Sequence, residues 1–388
     1  MDVSIDNIEA HLRKLVEEIG PRPMGSREDR LAMDYIEAHL RRCGCEVEYH
    51  EFACPCWQDG STSLTILSTD QSIPAQASQF TSACDIAGEI VPLRSIAEVN
   101  DMPVAGKICL LATGLGGVAQ RNVAALALEA RGALGLIVDR NHEAHPDAYD
   151  GKYVREPDLR RMPAACVSHN AAQQILASRS PVRLRIDARF WLGSTYNIQG
   201  ILPGTGPGRI FMTAHHDTGA GAPGARDNGS SVSILLEFAR LFSQERPPCE
   251  IRFVFTGAHE RAGQGAQEFV DAHGPLVDDA VLEVNIDTVG NKSGSPTVQV
   301  CASEGLTRKF KAALPDADAW KVESVETIGL DAGPFSKASV PALGFTTRTG
   351  GVRVSHTQMD DMTAIDLDFI ELPAKTIAHL IRSEFWKE

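Results

Sequence analysis

From Tyr196 onward, the chain alternates between short apolar runs and amphipathic segments, and this alternation restricts the folds that it can adopt. Three runs are predicted to be buried strands: residues 210–214, 251–255 and 281–286. Residues 230–242 place apolar side chains on one helical face, which predicts an amphipathic helix between the first two strands. Strands that alternate with helices favour an α/β fold, with a mixed, mainly parallel sheet flanked by helices.

Side chains that can bind a metal lie just after the predicted strands, including a fourth strand predicted at residues 342–345. They belong to His215, Asp227, Glu260, Asp287 and His356. Ligands bind beyond the carboxyl ends of strands in open α/β sheets, so we expect these side chains to meet at one edge. Imidazole and carboxylate ligands without thiolates suit zinc, manganese or cobalt in a catalytic site. We therefore predict one or two divalent ions, with zinc as the first choice.

Asp217 follows His215 by two residues, and an extended backbone would point both side chains to the same side. Asp217 could then orient the His215 imidazole and raise its basicity. His216 would face the opposite side, and we interpret it as a structural residue.

The composition excludes several classes of function. The 388 residues carry a formal net charge of −14, whereas binding to nucleic acid requires clustered lysine and arginine. The N-terminal segment is amphipathic and acidic, and no later segment approaches the roughly 20 apolar residues of a membrane span. We therefore expect a cytoplasmic protein with neither a nucleic-acid nor a membrane partner.

The middle third of the chain differs from the rest. Residues 107–111 and 134–138 are predicted strands that enclose an alanine-rich helix at about 119–130, which makes a small β-α-β unit. We predict a catalytic domain formed by residues 1–59 and 193–388, interrupted by a smaller inserted domain at residues 60–192.

The motifs around the candidate ligands resemble those of the zinc aminopeptidase family that includes bacterial leucyl aminopeptidases, glutamate carboxypeptidases and glutaminyl cyclases. The matching elements are His215-His216-Asp217, Gly224–Ser230, Gly257–Glu260, Asn285–Asp287, His356-Thr357 with Asp360, and the opening Gly20–Ser26. The middle third looks like the protease-associated domain that many members of this family insert. The resemblance covers nearly the whole chain.

This resemblance implies a metallohydrolase of C–N bonds, most simply an aminopeptidase-like enzyme that acts on short peptides. It implies that Asp227 bridges two metal ions, with a cis peptide bond after it. His215 and Asp287 would complete one site, and Glu260 with His356 the other. Two close ions can polarise a carbonyl and activate water, as amide hydrolysis requires.

His259 departs from the family, whose general base at this position is a glutamate. Neutral imidazole can also act as a base, so His259 could replace the glutamate in a peptidase. Alternatively, His259 could be a ligand or substrate contact in a specialised hydrolase of small amides or aryl amines. A third alternative is a binding module that has lost catalysis, although retention of all five ligand types counts against it.

The sequence specifies the substrate pocket poorly. Arg226, Arg348 and Arg353 lie near the predicted ligands, and each could clamp a substrate carboxylate. The expected substrate is a small peptide or small amide. The oligomeric state stays open, a homo-oligomer included.

Overall fold

The computed structural model describes residues 2–112, 118–139, 162–329, 331–349 and 354–387. Its helices are α1 (Ile5–Arg13), α2 (Arg27–Arg42), α3 (Glu98–Asp101), α4 (Val118–Ala130), α5 (His169–Ser178), α6 (Ser230–Glu245), α7 (Gln264–Ala272), α8 (Gly274–Asp278), α9 (Glu304–Ala313), α10 (Ala332–Lys337) and α11 (Leu367–Ser383). Its strands are β1 (Glu46–Ile66), β2 (Gln71–Ile73), β3 (Gln76–Ala77), β4 (Cys84–Gly88), β5 (Ile90–Leu93), β6 (Ile108–Leu111), β7 (Gly135–Asp139), β8 (Ala164–Val167), β9 (Val182–Leu202), β10 (Arg209–His215), β11 (Glu250–Thr256), β12 (Ala280–Ile286), β13 (Ser295–Cys301), β14 (Lys321–Ser324) and β15 (Ala342–Arg348). Among the described helices, none combines the length and apolar composition that spanning a bilayer requires.

The larger sheet has ten strands, in the order β14-β13-β15-β12-β10-β11-β9-β1-β2, with β4 also paired to β9. Its centre, β11-β10-β12-β15, is parallel. The flanking pairs β11-β9, β9-β1 and β13-β15 are antiparallel. The predicted α/β fold is therefore confirmed, and the sheet is mixed, with its parallel part limited mostly to the centre.

Helices cover both faces of the central strands. Successive residues of a strand point to opposite sides, so a run of apolar residues places apolar side chains on both faces, and both must be covered. On β10, Ile210 and Met212 pack into the core that contains α1, α2, α6 and α11. Phe211, between them, packs against Phe269 of α7 and Phe335 of α10 on the other face. Strand β10 is therefore mostly apolar on both faces, as the sequence pattern predicts, and its candidate ligand, His215, lies at its end.

The middle of the chain forms a second, five-stranded sheet in the order β3-β8-β7-β6-β5. The long strands β1 and β9 pair from Glu46↔Ile201 to Ile66↔Val182, with one irregularity between Asp59 and Thr62. Both predicted domain boundaries thus fall inside continuous strands, where the sequence is interrupted by turn-forming residues such as Gly60. The division into a catalytic and an inserted domain stays a prediction.

Helix α2 begins at a side-chain cap. The Ser26 hydroxyl accepts the Asp29 backbone N–H at 3.0 Å, and the Asp29 carboxylate accepts the Gly25 N–H at 2.8 Å. This N-terminal cap also places Asp29, which is buried, next to His216 behind the strand ends. The Asp29 side chain therefore both caps α2 and contacts His216, the residue next to the candidate ligand His215.

Candidate metal centre

The ends of the parallel strands bring the predicted ligands together. β10 ends at His215, the turn after β11 carries Glu260, and Asp287 immediately follows β12. His356 follows β15 along the chain and lies beside them. Parallel neighbours present their carboxyl ends at one edge of a sheet, which explains this convergence.

Asp227 lies at the centre of the group. Its Oδ1 atom is 3.1 Å from His215 Nε2, and its Oδ2 atom is 3.1 Å from His356 Nε2. The peptide bond between Asp227 and Asn228 is cis, as the family resemblance implies. Burial opposes ionisation, but the contacts with His215 and His356 hold the pKa of Asp227 well below its ordinary value.

One group of three side chains that could hold a cation comprises His215, His259 and Asp287. The imidazole rings of His215 and His259 are stacked, with centroids 3.8 Å apart and an interplanar angle of 7°. Their Nε2 atoms lie 3.9 Å from Asp287 Oδ1 and 3.9 Å from Asp287 Oδ2, respectively. All three residues are buried.

The second group comprises Asp227, Glu260 and His356. His356 Nε2 lies 3.5 Å from Glu260 Oε1 and faces Asp227 from the other side. In each group the ligand atoms lie within 4.8 Å of one another. All five predicted ligands are thus brought together, and His259 joins them.

Asp217 acts on its neighbours differently from the prediction. The close partner of His215 Nδ1 is the Asp217 backbone carbonyl, at 3.0 Å, whereas the carboxylate Oδ1 is 3.6 Å away. The Asp217 carboxylate instead accepts the backbone N–H groups of His259, at 3.0 Å, and Glu260, at 3.1 Å. Asp217 therefore fixes both the orientation of His215 and the turn that carries His259 and Glu260.

Asp331 is a site residue that the sequence analysis missed. It is fully buried, and its Oδ1 atom lies 2.8 Å from His259 Nδ1. The Thr256 hydroxyl donates to Asp331 Oδ2 at 2.5 Å. An aspartate before a helix ordinarily indicates a cap, yet the Asp331 side chain makes no capping bond to α10. Only the fold shows that it faces His259.

The structure corrects the interpretation of the arginines. Arg226 is buried, and its guanidinium donates to Ser355 Oγ and to the Thr347 carbonyl, each at 3.1 Å. These contacts anchor the segment before His356 and do not indicate a carboxylate clamp. Arg348 is half-exposed and pairs with Glu323 at 3.2 Å, outside both ligand groups. Arg353 lies outside the described residues.

His216 has the structural environment that its position predicts. Its Nδ1 atom lies 3.1 Å from Asp29 Oδ1, and its Nε2 atom lies 3.1 Å from the Tyr196 carbonyl. Although burial opposes protonation, the contact with Asp29 raises the pKa of His216. It contacts strand β9 and helix α2 and belongs to neither ligand group.

The centre fits a divalent cation on two observations. Asp287 Oδ1 is buried and accepts no hydrogen bond from the described residues. In addition, several buried carboxylates crowd together: Asp217, Asp227, Glu260, Asp287, Asp331 and Asp360. Buried charge without compensation costs several kcal/mol, so a cation between the two ligand groups would stabilise the folded site.

Comparison with known sequences agrees with this geometry. The sequence model described as Peptidase family M28 matches residues 197–381. The chain is 26% identical over 286 residues to the "Probable lipoprotein aminopeptidase LpqL" of Mycobacterium tuberculosis, covering 70% of this chain. It is 27% identical over 271 residues to the "Aminopeptidase YwaD" of Bacillus subtilis, covering 67% of this chain. The chain covers 56% of the length of each of these relatives.

Solved structures share the fold over almost the entire chain. A Peptidase M28 precursor from Shewanella amazonensis SB2B superposes with a TM-score of 0.83 at 19% identity, covering 99% of this chain and 98% of that one. The zinc aminopeptidase BSAP of Bacillus subtilis gives 0.80 at 20% identity, with coverage of 98% and 95%. The family model covers residues 197–381, just under half of the chain, so the comparisons show that this part of the chain is similar to peptidase family M28 and that the whole chain shares the fold of these solved structures.

Proposed function

We propose that the chain is a zinc-dependent aminopeptidase that removes N-terminal residues from short peptides. The two carboxylate oxygens of Asp227 carry this proposal, because each faces the histidine of a different ligand group at 3.1 Å. A carboxylate between two such groups suits a pair of divalent ions. The two relatives described above are both named as aminopeptidases, which supports the same activity.

The proposed ligands are His215, Asp227, Glu260, Asp287 and His356. When bound, two divalent ions supply Lewis-acid polarisation of the peptide carbonyl and a water of lowered pKa. The residues around the ligands hold them in place: Asp217 fixes His215 and the turn of Glu260, and Asp360 accepts the backbone N–H of Asp227 at 3.1 Å. Zinc is the first choice because the ligands are imidazoles and carboxylates, and because the similar Bacillus subtilis structure is a zinc aminopeptidase.

The charge of the site supports a substrate with a free amino group. Asp227 and Glu260 are buried carboxylates, and they lie beside His356, whose side chain is 23% exposed. A positively charged α-amino group would be attracted to such a centre, whereas an acetylated N-terminus would gain no ionic contact.

The test is release of free amine from a panel of unblocked dipeptides and from their N-acetylated counterparts. Each assay is run with protein as purified, after treatment with a chelator, and after zinc is added back. We expect cleavage of the unblocked peptides only, lost with the chelator and restored by zinc. Absence of cleavage from zinc-loaded protein would overturn the proposal and favour a small-amide or aryl-amine hydrolase.

A further inference from the structure

We infer that His259 is a ligand of the cation held by His215 and Asp287, and that Asp331 is the residue that positions it. This inference rests on the proposed metal-dependent function and deepens it. The resemblance implies a glutamate that acts as a base at this position, so a His259 ligand would set this chain apart from the family in both the ligand set and the group that moves the proton.

The first step is the shape of the group. The rings of His215 and His259 lie parallel, with centroids 3.8 Å apart, and both Nε2 atoms lie near the Asp287 carboxylate. Each Nε2 atom is 3.9 Å from a different oxygen of Asp287. These distances are too long for hydrogen bonds, and the three groups are close enough together to surround one shared ion.

The second step is the hydrogen bond on the opposite ring nitrogen. His259 Nδ1 lies 2.8 Å from Asp331 Oδ1, and an ionised carboxylate can only accept, so Nδ1 carries the hydrogen. In the neutral ring the lone pair is then on Nε2, which faces Asp287. His215 has the same arrangement, with Nδ1 against the Asp217 carbonyl at 3.0 Å. Metal-binding histidines usually have such an acceptor on the second nitrogen.

The third step is that Asp331 is itself held rigidly. It is fully buried, and its second oxygen accepts the Thr256 hydroxyl at 2.5 Å. Thr256 is the last residue of β11, and the His259 backbone N–H is fixed by Asp217 at 3.0 Å. The imidazole is thus held at both its ring and its backbone. With Nε2 committed to the cation, proton transfer must use another group.

The experiment is cobalt(II) loading of the metal-free protein, followed by proton NMR in H₂O and D₂O. A histidine bound through Nε2 gives a strongly shifted, exchangeable Nδ1–H resonance. We expect such resonances from the buried His215 and His259, and loss of one of them in His259→Gln, whose amide can still bond to Asp331. An unchanged set of shifted resonances in His259→Gln would overturn the inference.

A second variant keeps the inference testable if His259→Gln folds poorly. Asp331→Asn keeps the shape of the side chain but weakens the acceptor on Nδ1. We expect a 10–100-fold loss of affinity for the cobalt at this group, the range found for partners of metal-bound histidines. The exposed His379→Gln is the matched control and should leave affinity unchanged. Unchanged affinity in Asp331→Asn would also contradict the inference.

These readouts use no substrate, so they separate the two proposals. Shifted resonances that depend on His259, in a protein that cleaves no dipeptide, would support His259 as a metal ligand and contradict the proposed aminopeptidase activity. Cleavage of dipeptides by a protein whose resonances do not depend on His259 would support the proposed aminopeptidase activity and contradict His259 as a metal ligand.

Discussion

Asp360 lies directly behind Asp227 and accepts its backbone N–H at 3.1 Å with one carboxylate oxygen. The other oxygen accepts the N–H of Arg226 at 2.8 Å. Burial, followed by the nearby charge of Asp227, raises the pKa of Asp360 to about 6. One buried carboxylate thus sets the position of the residue that faces both ligand groups.

We predict that Asp360→Asn weakens zinc binding, because an amide offers only one acceptor oxygen and turns an N–H₂ group towards a backbone donor. The expected loss of zinc affinity is about 10–100-fold, which competition with a chromophoric chelator would measure. Asp361→Asn is the matched control, since an asparagine can keep the cap that Asp361 makes with the Thr363 N–H. Equal losses in both variants would contradict a specific effect of Asp360.

Arg22 is predicted to be essential for stability. It is fully buried and donates to five backbone carbonyls, those of Leu15, Gly20, His216, Pro223 and Gly224. Arg22→Met would remove all five bonds, although the Leu15 and Gly224 carbonyls would keep a backbone N–H partner, at a cost of about 3–5 kcal/mol in the free energy of unfolding. Urea denaturation would measure it, and the exposed Arg27→Met should stay within about 0.5 kcal/mol of the unsubstituted protein.

A second stability prediction concerns pH. Burial, followed by the charge of His39, lowers the pKa of His11 from 6.5 to about 4; Glu237 opposes this shift and Arg42 adds to it. His11 also bonds to the Tyr35 hydroxyl at 2.6 Å. The neutral ring is favoured in the fold, so its contribution is full above pH 6.5 and is lost as the pH falls towards 4.

The difference between these pKa values corresponds to about 3 kcal/mol at most. As the pH is lowered from 6.5 to 4, the free energy of unfolding should therefore fall less for His11→Gln than for the unsubstituted protein. Urea titrations at several pH values would show this difference in slope. Parallel curves for the two proteins would contradict the shift.

Alanine substitutions of Arg348 and Arg226, the two candidate arginines among the described residues, should have different effects. Arg348→Ala removes only a half-exposed pair with Glu323, so we expect kcat/KM for dipeptides to change by less than about twofold. Arg226→Ala removes the buried bonds to Ser355 and the Thr347 carbonyl, and His356 would lose its support. We expect it to lower zinc affinity, measured by chelator competition. A raised KM at unchanged zinc affinity would restore the substrate-clamp interpretation.

The convergence of the candidate ligands could be predicted from the sequence for a physical reason. Apolar runs identify buried strands, and parallel strands end at one edge, so residues such as His215 and Asp287 could be brought together without coordinates. Asp331 could not be found in this way, because it follows no strand and an aspartate before a helix looks like a cap. Its contact with His259 depends on how α10 packs against β11.

The length of β1 and the direction of Arg226 show a different limit. Pro55 and Gly60 interrupt the alternating pattern of residues 46–66, so the sequence does not reveal that they form one strand of 21 residues. Arg226 lies beside Asp227 in sequence, which suggested a substrate contact, but its side chain turns towards Ser355. Sequence shows which residue is near a site, whereas packing decides the direction of the side chain.

The role of Asp227 is tested most directly by a zinc titration of chelator-treated protein, with dipeptide cleavage measured at each point. We predict two equivalents of zinc per chain in the unsubstituted protein, and cleavage that rises as they bind. We also predict that Asp227→Asn, which keeps the side-chain shape but removes its charge, loses tight binding of both equivalents and at least 10³-fold in kcat/KM, roughly the loss of one major electrostatic contribution. Zinc-independent cleavage, or two tightly bound ions in Asp227→Asn, would contradict the central position of Asp227.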